Sequence, residues 1–420
     1  MRSRLYRFPS MACHPHRIRI SNNVARRVVL GCVGVGLVGC LGRGGPGPET
    51  LPARPVVLTV AEAESLVPLA PSAREGWARD IVGALRENHL PGGPEPVCAV
   101  VAIVQQESGF QANPVVTDLP NIVHRRLHEE AEKLGPLGRP ALESFLEGRA
   151  LGDAKRPSET FAARLKKVRT ERDVDLVFRD LLAFEKSGHP FVYATADLVS
   201  GLSSRGRFEE MNPITTVGSM QVSVRFAVTE AQAQGRGLTQ DEVRDALYTR
   251  WGGVFYGTAR LLGYPVSYPK MLFRFADYNA GVYSSRNAAL QAQVARMTGI
   301  ALVPDGDLLA YDKLSRPLAR VTESQHAFEA FRAEYAPEIS PERLRSDLEH
   351  EKEAALEKTA TYRAVKRAFE AQTHAPAPGA QLPEVVIQSP KMKGERSTRW
   401  YAESVDRRFQ LCLQRARALP

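Results

Sequence analysis

Apolar positions along this chain change their spacing several times, and each change predicts a different element. From Val28 to Gly39 every residue is apolar, cysteine or glycine, a run too short to cross a bilayer as a helix. Residues 41–70 are rich in glycine, proline and alanine, with one apolar patch at Val56–Leu58. Helical spacing begins at Ser72, where Ser72 and Glu75 form a capping-box pattern ahead of Trp77, Ile81 and Leu85. After the turn Pro91-Gly92-Gly93-Pro94, the stretch Val97–Val104 is apolar at every position, which predicts a helix over about 96–108 buried on all sides. From Val115 to about Met211 the pattern turns charged and amphipathic, with Val174, Phe178, Leu181 and Leu182 at helical spacing. Residues 201–218 read as loop. Helical spacing resumes over Asp241–Leu262, Met271–Ala276 and Asn287–Met297, then over Ser340–Ala371, and again in Arg396–Arg417.

These patterns predict a mainly α protein. The expected organisation is a signal segment at 1–39, a tether at 40–70 and a core assembled from 71–114 and 213–300. The core is interrupted by a helical insertion at 115–212 and followed by a helical extension at 301–375, with a linker and tail at 376–420.

Charge and cysteine usage place the chain in the cell envelope. Seven arginines and no acid precede the apolar run, and a basic stretch before a short apolar one is a secretion signal. The formal charge of +9 therefore belongs to that segment: 56 basic residues less those seven leave 49, against 47 acidic ones. A nearly neutral mature chain is no argument for binding nucleic acid. The run ends Leu37-Val38-Gly39-Cys40, which resembles the bacterial lipobox, where the cysteine is lipidated. Lipid on Cys40 would anchor the protein to a membrane, with the periplasmic face of the outer membrane the expected location. Cys98 and Cys412 are then left as an even pair in an oxidising compartment, either a disulfide or two buried thiols. Joined, they would tie the tail to the apolar helix.

Three short strings carry the candidate chemistry: Glu107-Ser108-Gly109-Phe110, Gly218-Ser219-Met220-Gln221 and Tyr278-Asn279-Ala280-Gly281. Glu107 closes the apolar helix, with Gly109 well placed to end it. Apolar surroundings and the negative end of the helix dipole both disfavour a carboxylate there, which suits a proton donor to a glycosidic oxygen. His124 and His128 have the i, i+4 spacing of metal ligands, but they lack the His-Glu-x-x-His order and read as a solvated helix face. No metal or cofactor is expected, since the chain carries neither a phosphate-binding glycine loop nor a paired-cysteine motif.

In that order the strings resemble the soluble lytic transglycosylase branch of the lysozyme superfamily. The resemblance implies a lysozyme-like helical core over residues 71–114 and 213–297, with Glu107 as the catalytic acid and base. It also implies a glycan groove lined by Met220, Gln221, Tyr278 and Asn279, with Ser108 as a nearby polar contact. The substrate implied is the peptidoglycan strand, cut between N-acetylmuramic acid and N-acetylglucosamine with closure of a 1,6-anhydro ring. Three features depart from that family: about a hundred residues separate the first two strings, Ser219 stands where leucine is common, and Asp277 precedes the tyrosine. Two other functions stay open, a hydrolytic muramidase that uses Asp277 or another acid to activate water, and a lipoprotein that holds peptidoglycan without cutting it. The insertion is a candidate lid, protein-partner site or exclusion device. The whole chain also resembles a group of uncharacterised bacterial lipoproteins.

Overall fold

The computed structural model describes residues 57–132, 135–148, 159–188, 212, 214–312, 316–387 and 395–419. The signal segment, Cys40, the tether up to residue 56 and most of the loop expected at 201–218 lie outside them. The protein is mainly α. Its helices are α1 (Val60–Leu66), α2 (Pro71–Glu87), α3 (Pro94–Glu107), α4 (Leu119–Glu132), α5 (Gly138–Leu146), α6 (Phe161–Leu165) and α7 (Glu171–Gly188). A small hairpin, β1 (Thr216–Val217) and β2 (Val222–Ser223), leads into α8 (Val224–Ala233), α9 (Gln240–Leu247), α10 (Arg250–Leu262), α11 (Met271–Ala280) and α12 (Ser284–Thr298). Then come α13 (Glu323–Tyr335), α14 (Pro341–Leu348), a 3-10 turn at Ala354–Lys358, α15 (Ala360–Thr373), the short pair β3 (Val386–Ile387) and β4 (Arg396–Ser397), and α16 (Thr398–Ala416). No helix among the described residues is long and apolar enough to cross a membrane.

Helix α3 is the axis of the main core. Every residue from Val97 to Val104 is buried, because α2, α10 and α16 pack around it. Where the pattern predicted a capping box at Ser72, Pro71 takes the first helical position instead and Ala70 precedes it without a side-chain cap. Proline's fixed φ suits that position, so Ser72 falls inside the first turn. The span read as one helix from Asp241 is two, broken where Thr249 caps α10 through the Gly252 amide.

The tail carries the long helix α16, whose Tyr401, Ala402, Val405, Phe409 and Cys412 belong to the main core. Phe409 meets Phe275 of α11 edge to face at 5.5 Å, and Cys412 is joined to Cys98 of α3 by a disulfide. The inserted segment shares the same core through Leu119, Val123, Phe161 and Phe178. Buried Asp175 of α7 pins it there, accepting from Arg244 of α9 at 2.7 Å, Arg179 at 2.8 Å and Asn212 at 2.9 Å. A second core surrounds Leu290, Val294, Phe328, Phe331 and Val365. Helix α12 serves it with one face and is polar along much of its buried length, each long polar chain taking fixed partners. Arg286 donates to the Glu351 carbonyl at 2.7 Å, Asn287 to the Gly306 carbonyl at 3.1 Å and Gln291 to Ser324 at 2.9 Å.

Candidate functional site

Glu107 is the last residue of α3, and the apolar packing of that helix fixes where it emerges. Ser108 turns its hydroxyl back onto the Val104 carbonyl at 3.1 Å and accepts from the Gln111 amide at 3.3 Å. Gly109 and Phe110 then take left-handed backbone conformations, φ +58° and +65°, and Phe110 packs edge to face on Trp77 at 5.3 Å. The expected groove contact at Ser108 is therefore not found. Its side chain is buried and ends the helix, and it does not line the groove.

The groove beside Glu107 has a volume of about 620 Å³. Gln221, Tyr278 and Asn279 line it, as does Gln106. The second string forms the turn of the β1–β2 hairpin. Gly218 sits there at φ +82°, and a Cβ on it would run into the Leu247 carbonyl oxygen, so the position requires glycine. Met220 is fully buried, its side chain over Gly257 of α10. This corrects its expected place in the groove wall: Gly253 and Gly257, one turn apart on α10, admit Ser219 and Met220 as packing residues. Gln221, at φ +49°, lines the groove, with its amide donating to Glu171 at 3.0 Å and accepting from Thr216 at 3.2 Å.

Tyr278 donates to the Met220 carbonyl at 2.7 Å, which locks the third string to the second. Asn279 accepts from the Thr398 hydroxyl at 2.9 Å, tying the groove floor to the start of α16. Asp277 points away. It is buried, accepts from the Ser285 amide at 2.6 Å and the Tyr268 hydroxyl at 2.7 Å, and does not line the groove. A water-activating role at Asp277 is thereby removed. Burial pushes its pKa up against the pull of those hydrogen bonds.

Three groups in the groove escape the strings. Tyr401 of α16 is buried and donates its hydroxyl to Glu107 Oε1. Its phenol is pushed well above the ordinary value, first by burial and then by the Glu107 carboxylate, so it stays a donor. Burial and the same carboxylate push the Tyr278 phenol up as well. Glu171, at the start of α7, is buried on the groove wall, and Arg126 of α4 is exposed at it. The inserted segment also supplies Val116, Leu119 and Ile122, so one wall is apolar with a single guanidinium. The signal for Tyr401 was present in the sequence: Cys412 lies eleven residues, three helical turns, beyond it on the same face.

Chemically, the groove offers one carboxyl fixed by a phenol, a second held by an amide, and amides for an extended polar ligand. The comparisons with known proteins assign the chain. Residues 71–415 match the family described as "Protein of unknown function (DUF1615)". The chain belongs to the DUF1615 family. It is 32% identical over 349 residues to "Uncharacterized protein YaiW" of Escherichia coli (strain K12), covering 83% of this chain and 87% of that protein. No solved structure matches. The expected likeness to uncharacterised bacterial proteins is met by this DUF1615 assignment, and neither match supports the resemblance to the transglycosylases.

Proposed function

We propose that the protein is a lytic transglycosylase of the cell envelope, acting on peptidoglycan strands from a lipid anchor at Cys40. One observation carries the reading. Glu107, Gln221, Tyr278 and Asn279, drawn from three strings far apart in the chain, line a single groove. In the proposed reaction the protonated Glu107 donates to the oxygen linking N-acetylmuramic acid to N-acetylglucosamine, and that bond breaks. The resulting carboxylate takes the proton of the muramic C6 hydroxyl, whose oxygen attacks C1 and closes the 1,6-anhydro ring. The nucleophile comes from the substrate, so one carboxyl is enough, unlike the paired carboxylates of ordinary glycosidases. Gln221 and Asn279 supply the amides that would hold the N-acetyl groups.

Glu171 favours a second reading, hydrolysis, because it puts another carboxyl on the groove wall. Mass spectrometry of soluble products released from purified sacculi separates the two, with wild type, Glu107→Gln and Glu171→Gln run together. The expected result is anhydro-muropeptides from wild type and from Glu171→Gln, with none from Glu107→Gln. Reducing-end products that vanish in Glu171→Gln would establish hydrolysis. No release from wild type, with binding to sacculi intact, would make the protein a peptidoglycan-binding lipoprotein.

A further inference from the structure

The hydrogen bond between Tyr401 and Glu107 joins two residues 294 positions apart in the chain. Helices α3 and α16 run antiparallel. The Cys98–Cys412 disulfide, with a Cα separation of 5.5 Å, fastens one end of the pair, and Glu107 and Tyr401 meet at the other. Between them Ser404 donates to Gln106 at 3.1 Å. Nine residues of α3 and eleven of α16 separate these points, about 14 and 17 Å of helix, so the contact is fixed along a registered pair rather than at a loose chain end. Tyr401 shares its buried face with Val405, Phe409 and Cys412.

A buried tyrosine ordinarily finds some partner for its hydroxyl, and Tyr278 does so with a backbone carbonyl. Tyr401 instead spends its hydroxyl on the carboxyl that lines the groove. We propose that Tyr401 is a positioning residue for Glu107, holding its carboxyl in one orientation toward the groove through a hydrogen bond supplied by the C-terminal helix. This rests on Glu107 being the reactive group of the proposed function, and it adds a residue that none of the three strings contains. A donor to one carboxylate oxygen restricts the last torsion of the glutamate and favours the ionised form over the protonated one. The other titratable groups on the same groove are Tyr278 from α11, Glu171 from α7 and Arg126 from α4, and all three are present in both wild type and a Tyr401 variant.

The test is Tyr401→Phe, which keeps the ring and its packing and deletes only the donor. In the full mature chain with carboxyl-13C glutamate, the Glu107 resonance is assigned by its loss in Glu107→Gln and followed by NMR against pH. Its midpoint should rise by about one pH unit in Tyr401→Phe, and release of anhydro-muropeptides should fall about tenfold in kcat with KM unchanged. A midpoint identical in the two proteins overturns the proposal whether or not the protein cuts glycan, because deleting a donor that holds the carboxylate must move it. Should the midpoint move while wild type releases no product, the reaction assigned above is refuted and the pairing of Tyr401 with Glu107 stands.

Discussion

Removing the Cys98–Cys412 disulfide should lower the stability of the protein while leaving the groove assembled. The bond spans a sequence separation of 314 residues. For a loop of that length the chain-entropy expression gives a ceiling of about 6 kcal/mol from restriction of the unfolded state. Measured effects of native disulfides fall below such ceilings, and about 4 kcal/mol is the expected loss for Cys98→Ala/Cys412→Ala. An unfolding entropy near 2 cal/mol/K per residue over the roughly 320 described residues converts that into a fall in Tm of about 6 °C. The groove should survive because α16 keeps its other anchors: Tyr401, Ala402, Val405 and Phe409 stay buried. Urea denaturation followed by circular dichroism is the assay, and its slope matters as much as its midpoint. Without the cross-link the unfolded chain expands and exposes more surface, so m should rise as the midpoint falls. Cavities left by two sulfur atoms would lower the midpoint without changing m. An unchanged m would therefore refute the unfolded-state argument, and an unchanged midpoint would refute the staple altogether.

A second expectation concerns pH. Burial holds the Asp277 carboxyl above the ordinary carboxylate range, so the native state binds its proton more tightly than the unfolded chain does. The associated stability is complete below the unfolded value and is lost as pH rises through the native one. Asp277→Asn should accordingly gain on wild type in urea midpoint as pH rises above about 4, and a difference that stays constant as pH rises from there would contradict the burial argument. A third concerns the seat of the second string. A Cβ at Gly257 would lie 2.7 Å from Met220 Cβ and 2.9 Å from its Cγ. Gly257→Ala should thus lose about 1–3 kcal/mol to overpacking, against about 1 kcal/mol gained in helix propensity. Shortening the neighbour in Met220→Ala/Gly257→Ala should recover part of the loss; additive losses in that double variant would show that the two residues do not press on each other.

Fold class and the placement of Glu107 were legible because each rests on a local pattern. Eight consecutive apolar residues can only be satisfied by neighbours on every side, so α3 had to be central and its polar end had to mark a boundary. Gln221, Tyr278 and Asn279 lie in the groove where their strings put them. Ser108 and Met220 were misjudged for a shared reason: a polar or apolar residue type does not reveal which way a tight turn points it. Ser108 is consumed by the helix end, and two glycines on α10, distant in sequence, create the hollow that Met220 fills.

Glu171 and Tyr401 were missed for a different reason. Each sits in an amphipathic helix among many similar charged or aromatic positions, and only the long-range packing of α7 and α16 selects it. For α16 a route existed, since the paired cysteines fix its register on α3 and count back to Tyr401. For α7 none did, because Asp175 and Arg244, which pin the insertion, are ordinary charged residues until the fold buries them together. The groove is consequently closed by parts that follow or interrupt the segment carrying its strings: one wall from the insertion, and the Glu107 contact from the last helix. A truncation ending before residue 396 would keep all three strings yet leave Glu107 without its phenol and Asn279 without Thr398. The groove carboxyl and the phenol bonded to it therefore come from separate parts of the chain, and only the first lies in a motif.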